Sequence, residues 1–266
     1  MAASRGWDLA VKVAILAGGM GTRLAEETEI RPKPMVEIGG LPILWHIMRH
    51  YDHYGLSEFV IALGYKGDHI RRFFADYYTN ASNLRVNLAS GLAESHGGGP
   101  AERWLVELIE TGRYTNTGGR IARLAPYLGN ETFMLTWGDG VSDLNLAELL
   151  AFHRSHGRLA TVSAVHPPAR FGQVELEGNR VVDFSRRPLS NAWINGAFFV
   201  LEPGIFEYID NDDTQWEKDP MERLAKNRQL VAFRHEGFWQ CMDTMRDKRY
   251  LDGLWQSGSA PWKIWA

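Results

Sequence analysis

The first part of the chain contains the sequence Val11-Lys-Val-Ala-Ile-Leu-Ala-Gly-Gly-Met-Gly-Thr-Arg-Leu24, an apolar run that leads into a glycine-rich stretch. Its opening run, Val11–Ala17, is short, apolar and rich in β-branched residues, which is typical of a buried parallel strand. Gly18, Gly19 and Gly21 follow, and glycines let the backbone turn tightly and approach a ligand without interference from Cβ atoms. Backbone N–H groups exposed in such a turn bind anions. The stretch therefore predicts a strand that ends in a phosphate-binding turn.

Two positively charged side chains follow the glycines, and both suit a phosphate ligand. Arg23 carries a planar guanidinium that can hold phosphate oxygens through two parallel hydrogen bonds. Lys33 lies between Pro32 and Pro34, which restrict the backbone on both sides. Its compact ammonium can follow a phosphate through a reaction as a point charge. The sequence thus indicates a polyphosphate site with Arg23 and Lys33 as candidate catalytic residues.

Other interpretations of the glycine-rich turn remain. In a dinucleotide fingerprint, Gly19-x-Gly21 would be followed by a third small residue where this chain has Leu24. A Walker loop would close with Gly-Lys-Ser/Thr, which this sequence lacks. The structural alternative is that the glycines only join a strand to a helix.

The composition is that of a globular protein. The 266 residues are 45% hydrophobic and 23% charged, and this length allows a single large α/β domain over residues 1–266. The net charge of -3 provides no basic surface for nucleic acid, and no apolar run is long enough to cross a bilayer. We therefore expect neither nucleic acid nor a membrane as partner. Cys241 is the only cysteine, which excludes an intramolecular disulfide and favours a cytoplasmic protein.

Short apolar runs alternate with amphipathic runs along the chain, a pattern typical of βαβ units. The predicted strands are Val11–Ala17, Glu58–Leu63, Leu84–Ala89, Phe133–Trp137, Ala160–His166 and Leu230–Arg234. The predicted helices are Pro42–Tyr54, Lys66–Tyr77 and Leu144–His156. The pattern predicts a Rossmann-like layered α/β sheet, in which ligands collect beyond the carboxyl ends of the strands.

Three segments interrupt this alternation. Ser90–Pro100 contains three consecutive glycines and is predicted to be a flexible loop. Arg103–Glu110 alternates as a strand does, and we expect it to return from that loop in an excursion over the site. Phe171–Phe184 carries two strand-like runs around Glu177-Gly-Asn179, which predicts a hairpin.

With Arg23 and Lys33 included, the glycine-rich stretch resembles the signature of the sugar-1-phosphate nucleotidylyltransferases. The run Glu26–Gly40 resembles the cytidylyltransferase branch of that family, which acts on glucose 1-phosphate. Further matches follow in the family's order almost to the end of the sequence: Pro42–Met48, Gly64–Gly67, Thr117–Arg120, Trp137–Gly140, Ile194–Gly196, Phe238–Asp247 and Ala260–Lys263. The resemblance covers nearly the whole chain.

The resemblance implies a three-layer αβα mixed sheet of the nucleotidyltransferase type with a smaller β-rich sugar-binding part at about 168–200. It also implies that a C-terminal segment, about 237–266, returns to complete the site. The family tends to oligomerise, so we expect a homo-oligomer. Tryptophans crowd the later part of the chain, where core packing is the default, and Pro261–Trp265 looks suited to anchoring a subunit contact.

Two aspartates are the candidate metal ligands. Asp139 follows the predicted strand Phe133–Trp137 between two glycines, and Asp243 follows the predicted strand Gly237–Met242. An acidic turn residue is the structural alternative for Asp139, and a salt bridge with Arg246 or Lys248 is the alternative for Asp243. The family's metal aspartate occupies this Gly-Asp, and the resemblance assigns Asp243 the same role. Two hard oxygen ligands suit Mg²⁺, with phosphates and waters completing the shell.

The candidate nucleotide-binding residues combine the glycine-rich turn with positions implied by the resemblance. They are Leu16, Ala17, Gly18, Gly19, Met20, Gly21, Thr22, Arg23, Lys33, Thr115, Arg120 and Gly138. Arg120 has a structural alternative as a first-turn arginine on the predicted helix Arg120–Tyr127. We expect Cys241 to be a small packed residue, because no step of the implied chemistry needs a thiolate.

The candidate residues for binding the sugar phosphate are Arg187, Asn195 and Gly196. An amide beside a glycine suits sugar hydroxyls, and the family uses Asn195-Gly196 in this way, although an ordinary turn before the strand Ala197–Leu201 is the alternative. Many family members carry Glu-Lys-Pro where this chain has Arg186-Arg187-Pro188. Arg187 can still bind phosphate, but its fork is longer and planar, which leaves the exact sugar open.

The resemblance implies transfer of a cytidylyl group from CTP to a sugar 1-phosphate, with α-D-glucose 1-phosphate giving CDP-glucose and pyrophosphate. Because a phosphate monoester has a second pKa of about 6, the attacking group is largely a dianion at neutral pH and needs no general base. One alternative is the same chemistry with another sugar 1-phosphate or another nucleoside triphosphate. Another is a non-catalytic regulatory subunit of the same fold that binds nucleotide or sugar.

Overall fold

The computed structural model describes residues 11–167, 173–185 and 192–265. Its strands are β1 (Val13–Leu16), β2 (Glu37–Ile38), β3 (Leu41–Pro42), β4 (Glu58–Leu63), β5 (Ser82–Asn87), β6 (Leu92–Gly98), β7 (Leu105–Glu110), β8 (Phe133–Trp137), β9 (Gly140–Ser142), β10 (Ala160–Val165), β11 (Gln173–Glu177), β12 (Arg180–Ser185), β13 (Ile194–Leu201), β14 (Leu230–His235) and β15 (Trp239–Cys241). Its α-helices are α1 (Ala25–Thr28), α2 (Ile43–His53), α3 (Gly67–Ala75), α4 (Tyr77–Asn80), α5 (Thr117–Leu128), α6 (Leu146–His156), α7 (Asp219–Lys226) and α8 (Met245–Gln256). Short 3₁₀ turns cover Thr22–Leu24, Lys33–Met35 and Pro203–Tyr208.

Seven of the described strands form the central sheet, in the order β14-β10-β13-β8-β1-β4-β7. Neighbouring strands run parallel except β13, which is antiparallel to both β8 and β10. The sheet is therefore mixed, and β1 lies between two parallel neighbours, as its continuous apolar sequence predicts.

Helices cover both faces of the sheet. Val13 and Ile15 of β1 pack in one apolar cluster with residues of α2, α6 and α8, whereas Ala14 and Leu16 pack in a second cluster with residues of α5 and α7. This alternation places successive side chains of one strand on opposite faces. The predicted three-layer αβα sheet is confirmed.

The β-hairpin of residues 82–98, called here the β5–β6 ribbon, departs from the sequence prediction. Ser90–Pro100 is wrong as a flexible loop, because it contains β6, which pairs in antiparallel register with β5. Gly97 and Gly98 have φ angles of 64° and 72°, a conformation that favours glycine. These glycines therefore allow the end of β6 to bend. The predicted strand Leu84–Ala89 accordingly overlaps a hairpin strand outside the central sheet.

The segment Arg103–Glu110 was predicted to cross over the site, and this is wrong. Its strand, β7, forms an edge of the central sheet and pairs in parallel with β4, with Glu58 opposite Leu105. Val106 and Leu108 pack against the apolar cluster that contains α2. The alternation in this segment therefore reflects burial against the sheet's own core.

The remaining strands build two peripheral features. β11 and β12 pair around Gly178, which confirms the predicted hairpin. The sugar-binding part expected at about 168–200 extends beyond the described residues, and its last strand, β13, belongs to the central sheet. β15 pairs with β9 and so brings the C-terminal segment against the strand that follows Asp139.

The C-terminal tryptophans pack within the chain. Trp262 is fully buried and stacks on Phe238 and Trp255, and Trp265 is 8% exposed. The two indoles of Pro261–Trp265 are therefore used in the core, and a subunit contact through this segment stays a prediction. Among the described residues, no helix has the length and apolar character required to cross a membrane.

Candidate active site

A cleft of about 380 Å³ opens at the carboxyl ends of β1 and β8, where a parallel sheet collects its ligands. Most of the predicted nucleotide-binding residues line it. The lining residues are Leu16, Ala17, Gly18, Gly19, Met20, Gly21, Arg23, Lys33, Pro34, Arg113, Tyr114, Thr115, Asn116, Thr117, Arg120, Trp137, Gly138 and Asp139. For Thr22, the structure describes the backbone only.

The glycine-rich turn leaves β1 with its backbone held close to other elements. A Cβ atom at Gly18 would lie 2.3 Å from Nη1 of Arg120, and Gly21 has a φ of 63°. Both positions therefore require glycine. Gly19 and Met20 are exposed and line the cleft, and binding of a ligand by their backbone stays a prediction.

Lys33 joins the two predicted metal aspartates. Its Nζ atom lies 2.6 Å from Oδ2 of Asp139 and 2.6 Å from Oδ1 of Asp243, and Lys33 is only 8% exposed. Nη1 of Arg23 donates to Oδ2 of Asp243 at 2.7 Å. Residues separated by up to 220 positions thus form one cluster of two cations and two carboxylates.

Opposite charges in this cluster stabilise the ionised forms of Lys33 and Asp243. Burial alone would lower the pKa of Lys33, but the carboxylates of Asp139 and Asp243 outweigh burial and raise it. Burial likewise opposes ionisation of Asp243, yet the Lys33 ammonium and the Arg23 guanidinium hold its pKa below the usual range. Lys33 and Asp243 are therefore ionised at neutral pH.

Cys241 lies beside this cluster, with Sγ 3.6 Å from Oδ2 of Asp243. Burial, reinforced by the negative charge of Asp243, raises the pKa of the Cys241 thiol to about 12. A thiol that stays protonated is a poor nucleophile. This finding supports the expectation that Cys241 is a packing residue.

Local structure fixes the lysine and the first aspartate. Pro32 and Pro34 flank Lys33, which opens a 3₁₀ turn. Gly138 packs so closely on this turn that a Cβ atom would lie 2.9 Å from Cγ of Pro34. The glycine before Asp139 therefore allows the β8 end to approach the lysine.

Asp243 is positioned by the start of α8. Thr244 caps the helix, and its Oγ1 accepts the Asp247 backbone N–H at 3.2 Å. The Asp247 carboxylate in turn accepts the N–H groups of Asp243 and Thr244 at 3.1 and 2.9 Å. This reciprocal capping box fixes the backbone that carries the Asp243 side chain.

The two aspartates fit a divalent metal ion. One carboxylate oxygen of each aspartate points toward the same position, which the Lys33 ammonium occupies in this structure. Hard carboxylate oxygens are the donors that Mg²⁺ prefers, usually one or two from protein with phosphates and waters completing the shell. Asp139 and Asp243 are accordingly the residues that would hold such an ion.

Arg120 lines the cleft but also connects the carboxyl ends of β1, β4 and β7. Its guanidinium donates to the carbonyls of Gly18 (3.0 Å), Leu63 (3.0 Å) and Gly112 (2.7 Å), and to Oγ1 of Thr111 (2.8 Å). It is the fourth residue of α5, which begins at Thr117 and not at Arg120 as the sequence predicted. Arg120 therefore fixes the backbone around the glycine-rich turn.

Several cleft residues were missed by the sequence analysis, among them Arg113, Tyr114, Thr117 and Trp137. Arg113 and Tyr114 follow the carboxyl end of β7, so recognising β7 as a central strand would have found them. Trp137 and Thr117 both donate to the carboxylate of Glu217, at 3.2 and 2.6 Å. Glu217 comes from a distant segment, and no local sequence signal links it to the cleft.

Of the predicted sugar-phosphate residues, Asn195 and Gly196 are described, and neither is among the residues that line the cleft. Asn195 is exposed, and its Oδ1 accepts the Ala197 N–H at 2.8 Å. The Gly196 carbonyl accepts the indole N–H of Trp239 at 2.7 Å. Because Trp239 belongs to β15, this bond connects β13 to the strand that leads to Asp243. Arg187 lies outside the described residues.

The sheet topology and the cleft at the carboxyl ends of β1 and β8 are typical of α/β proteins that bind a ligand at this edge of the sheet. A family model described as nucleotidyl transferase matches residues 12–247. The chain is 49% identical over 257 residues to glucose-1-phosphate cytidylyltransferase of Salmonella typhi, covering 96% of this chain and 100% of the relative. It is 41% identical over 256 residues to a probable glucose-1-phosphate cytidylyltransferase of Bacillus subtilis (strain 168), with 96% and 100% covered. The chain belongs to the nucleotidyl transferase family.

A solved structure confirms the fold. A UDP-glucose pyrophosphorylase in complex with UDP-glucose matches with a TM-score of 0.67 and 19% identity, over 94% of this chain and 100% of that chain. The protein is a nucleotidyltransferase, and members of this family act on a nucleoside triphosphate and a sugar 1-phosphate and generally use a divalent metal.

Proposed function

We propose that this protein transfers the cytidylyl group of CTP to α-D-glucose 1-phosphate, giving CDP-glucose and pyrophosphate. The observation that carries the proposal is the convergence of Arg23, Lys33, Asp139 and Asp243 at the end of the glycine-rich turn. The cytidylyl group and the sugar follow from the two relatives of 49% and 41% identity that bear these substrates in their names.

The reaction is an in-line displacement. An oxygen of the sugar phosphate attacks the α-phosphorus of CTP, and the bond from that phosphorus to the bridging oxygen of pyrophosphate breaks. Because the attacking phosphate is largely a dianion at neutral pH, the chain need not supply a base. Its tasks are to align the two phosphates and to offset their negative charge.

The residues of the cleft divide these tasks. Backbone N–H groups of the exposed turn at Gly19 and Met20 bind phosphate oxygens. The Arg23 guanidinium and the Lys33 ammonium stabilise charge that develops on the departing pyrophosphate. Lys33 already lies between two carboxylates, so its ammonium is held at the centre of the charge cluster before substrates bind.

We further propose that the divalent metal is Mg²⁺ and that Asp139 and Asp243 hold it. When bound, Mg²⁺ supplies positive charge to the phosphate oxygens of the nucleotide. Thr115 and Arg120 bind the nucleotide from the β7 side of the cleft, together with Gly138 and the turn 16–21. A nucleoside triphosphate and a sugar 1-phosphate as substrates favour a cytoplasmic location.

The sugar phosphate is assigned to Arg187, Asn195 and Gly196, within a β-rich part at about 168–200. The second candidate function is the same transfer to a different sugar 1-phosphate. One observation favours it: the chain has Arg186-Arg187 where the resembled family commonly has Glu-Lys.

A pyrophosphate-release assay tests the proposed function. Purified protein is given CTP, Mg²⁺ and a panel of sugar 1-phosphates, and then glucose 1-phosphate with each nucleoside triphosphate. We expect the fastest release with CTP and glucose 1-phosphate. Faster release with another sugar 1-phosphate would establish the second candidate function. No release with any pair of substrates would contradict the proposal and favour a non-catalytic regulatory subunit.

A homo-oligomer is supported by the β5–β6 ribbon. Leu84, Val86 and Leu92 are 44%, 53% and 62% exposed, and a two-stranded ribbon is marginally stable in water unless it packs against another surface. Light scattering on the eluting protein should find an oligomer, and a monomer at micromolar concentration would contradict this proposal.

A further inference from the structure

The turn that follows β4 contacts both ends of the segment 18–29, which carries Arg23. At the beginning of the segment, the Tyr65 backbone N–H donates to the Gly18 carbonyl at 3.1 Å. At its other end, the Lys66 side chain crosses from the turn to the carbonyl groups at the end of α1. One short turn therefore sets the distance between the two ends of this segment.

The Lys66 ammonium completes the hydrogen bonding of a very short helix. It donates to the Thr28 carbonyl at 3.0 Å and also to the Glu29 carbonyl. The last carbonyl groups of a helix lack partners within the helix, and a cation there also meets the negative end of the backbone dipoles. Because α1 has only four residues, Lys66 adds to a small set of contacts that hold it, together with the Lys248–Glu27 ion pair and the bonds from Thr28 Oγ1 to the Gly21 and Leu24 carbonyls.

The backbone of Lys66 indicates that its side chain is required. Lys66 has φ 52° and ψ 33°, in the left-handed region that glycine enters without steric cost and that other residues enter at a penalty. The other non-glycine residues with positive φ in the described chain are Ala197 and Arg228. A glycine at Lys66 would relieve the strain but would lose both bonds to α1.

Arg23 depends on this segment for its place. Its side chain is 72% exposed, and its ion pair is with Asp243, so little packing restrains it directly. The 3₁₀ turn Thr22–Leu24 leads straight into α1. A shift of α1 therefore moves the guanidinium relative to the charge cluster.

We infer that Lys66 is a positioning residue that places the Arg23 guanidinium for phosphate transfer by clamping α1 to the turn after β4. The inference rests on the role of Arg23 in the proposed function. The Lys66 ammonium donates to two backbone carbonyls and lies over the Tyr65 ring, and it acts through the segment 18–29.

A double-mutant cycle in the pyrophosphate-release assay tests this inference. Lys66→Gly, Lys66→Arg and Arg23→Ala are made singly, and Lys66→Gly is also made in the Arg23→Ala background. Since a misplacement of about 1 Å can cost on the order of 100-fold in rate, we expect Lys66→Gly to lower kcat roughly 10- to 100-fold with little change in KM for CTP. Lys66→Arg should restore most of the lost rate, and Lys66→Gly should have almost no further effect once Arg23 is alanine.

Two matched controls separate positioning from general damage. Lys12→Met removes another lysine that donates to a carbonyl at the end of a helix, Tyr127, at 2.6 Å. Arg228→Gly relieves another left-handed backbone, with a φ of 56°. Both variants should keep wild-type kcat.

Amide hydrogen exchange gives a readout that is independent of turnover. Exchange of residues 20–30 should quicken in Lys66→Gly and stay unchanged in Arg228→Gly. A wild-type kcat in Lys66→Gly, or an equal loss of rate with and without Arg23, would overturn the inference while leaving the proposed function intact. If the wild-type protein releases no pyrophosphate, the proposed function fails, and unchanged exchange in Lys66→Gly would still overturn the clamp.

Discussion

The residues of the cleft differ in how well the local sequence predicts their positions and contacts. Lys33 is flanked by two prolines, and Asp139 follows a buried strand, so the local sequence signals both. Arg120 received a nucleotide-binding role from the resemblance, but its contacts with the carbonyls of Gly18, Leu63 and Gly112 could not be predicted. Those carbonyls lie at the ends of three strands, β1, β4 and β7, which meet only when the sheet forms.

Alanine substitutions at the neighbouring positions Gly18 and Gly19 should differ in their effect on stability. A Cβ atom at Gly18 would lie 2.3 Å from Nη1 of Arg120, whereas at Gly19 no atom of the described residues would come within 4 Å of one. Gly18→Ala should lower the free energy of unfolding by about 1–3 kcal/mol through overpacking. Gly19→Ala should stay within about 0.5 kcal/mol of wild type. Urea denaturation measures both, and equal stabilities of the two variants would contradict the close approach of Arg120.

At the scale of elements, the strands with strong apolar runs were predicted best. Glu58–Leu63 and Phe133–Trp137 match β4 and β8 at both ends. The segment 82–110 was predicted worst, because the glycines of β6 suggested a loop and the edge strand β7 is only half buried. Edge pairing depends on the partner strand, which local periodicity does not reveal.

The N-terminal caps of α8 and α6 give a prediction with a built-in control. Thr244 caps α8 next to Asp243, and Asn145 caps α6 by accepting two backbone N–H groups. Thr244→Ala and Asn145→Ala should each lower the free energy of unfolding by about 1 kcal/mol. Only Thr244→Ala should also lower kcat, because its cap fixes the backbone of a cluster carboxylate. Equal kcat values in the two variants would show that the α8 cap does not position Asp243.

At the scale of the whole molecule, stability should fall in mild acid because buried histidines must stay neutral. Nε2 of His46 and Nε2 of His50 lie 2.9 and 2.8 Å from the carbonyls of Ile38 and Leu144. Burial lowers the pKa of each histidine to about 4, against about 6.5 in an unfolded chain. Their contribution is therefore complete above about pH 6.5 and is lost as the pH falls toward 4.

The size of this effect follows from the two pKa values. Between pH 7 and pH 5, each histidine should lower the free energy of unfolding by about 2 kcal/mol. Urea denaturation at the two pH values measures the loss. His46→Gln keeps an N–H donor that does not titrate, so this variant should lose less stability than wild type. An equal loss in variant and wild type would show that His46 does not contribute.

The central claim is that the buried Lys33 ammonium, shared by Asp139 and Asp243, serves cytidylyl transfer. Its most direct test is kcat for pyrophosphate release from CTP and glucose 1-phosphate by Lys33→Met, with the exposed helix lysine variant Lys226→Met as control. Removing a preorganised charge from a transfer site typically costs a factor on the order of 10²–10³ in kcat. We predict a loss of that size for Lys33→Met and none for Lys226→Met. Near-wild-type turnover by a folded Lys33→Met protein would contradict the account.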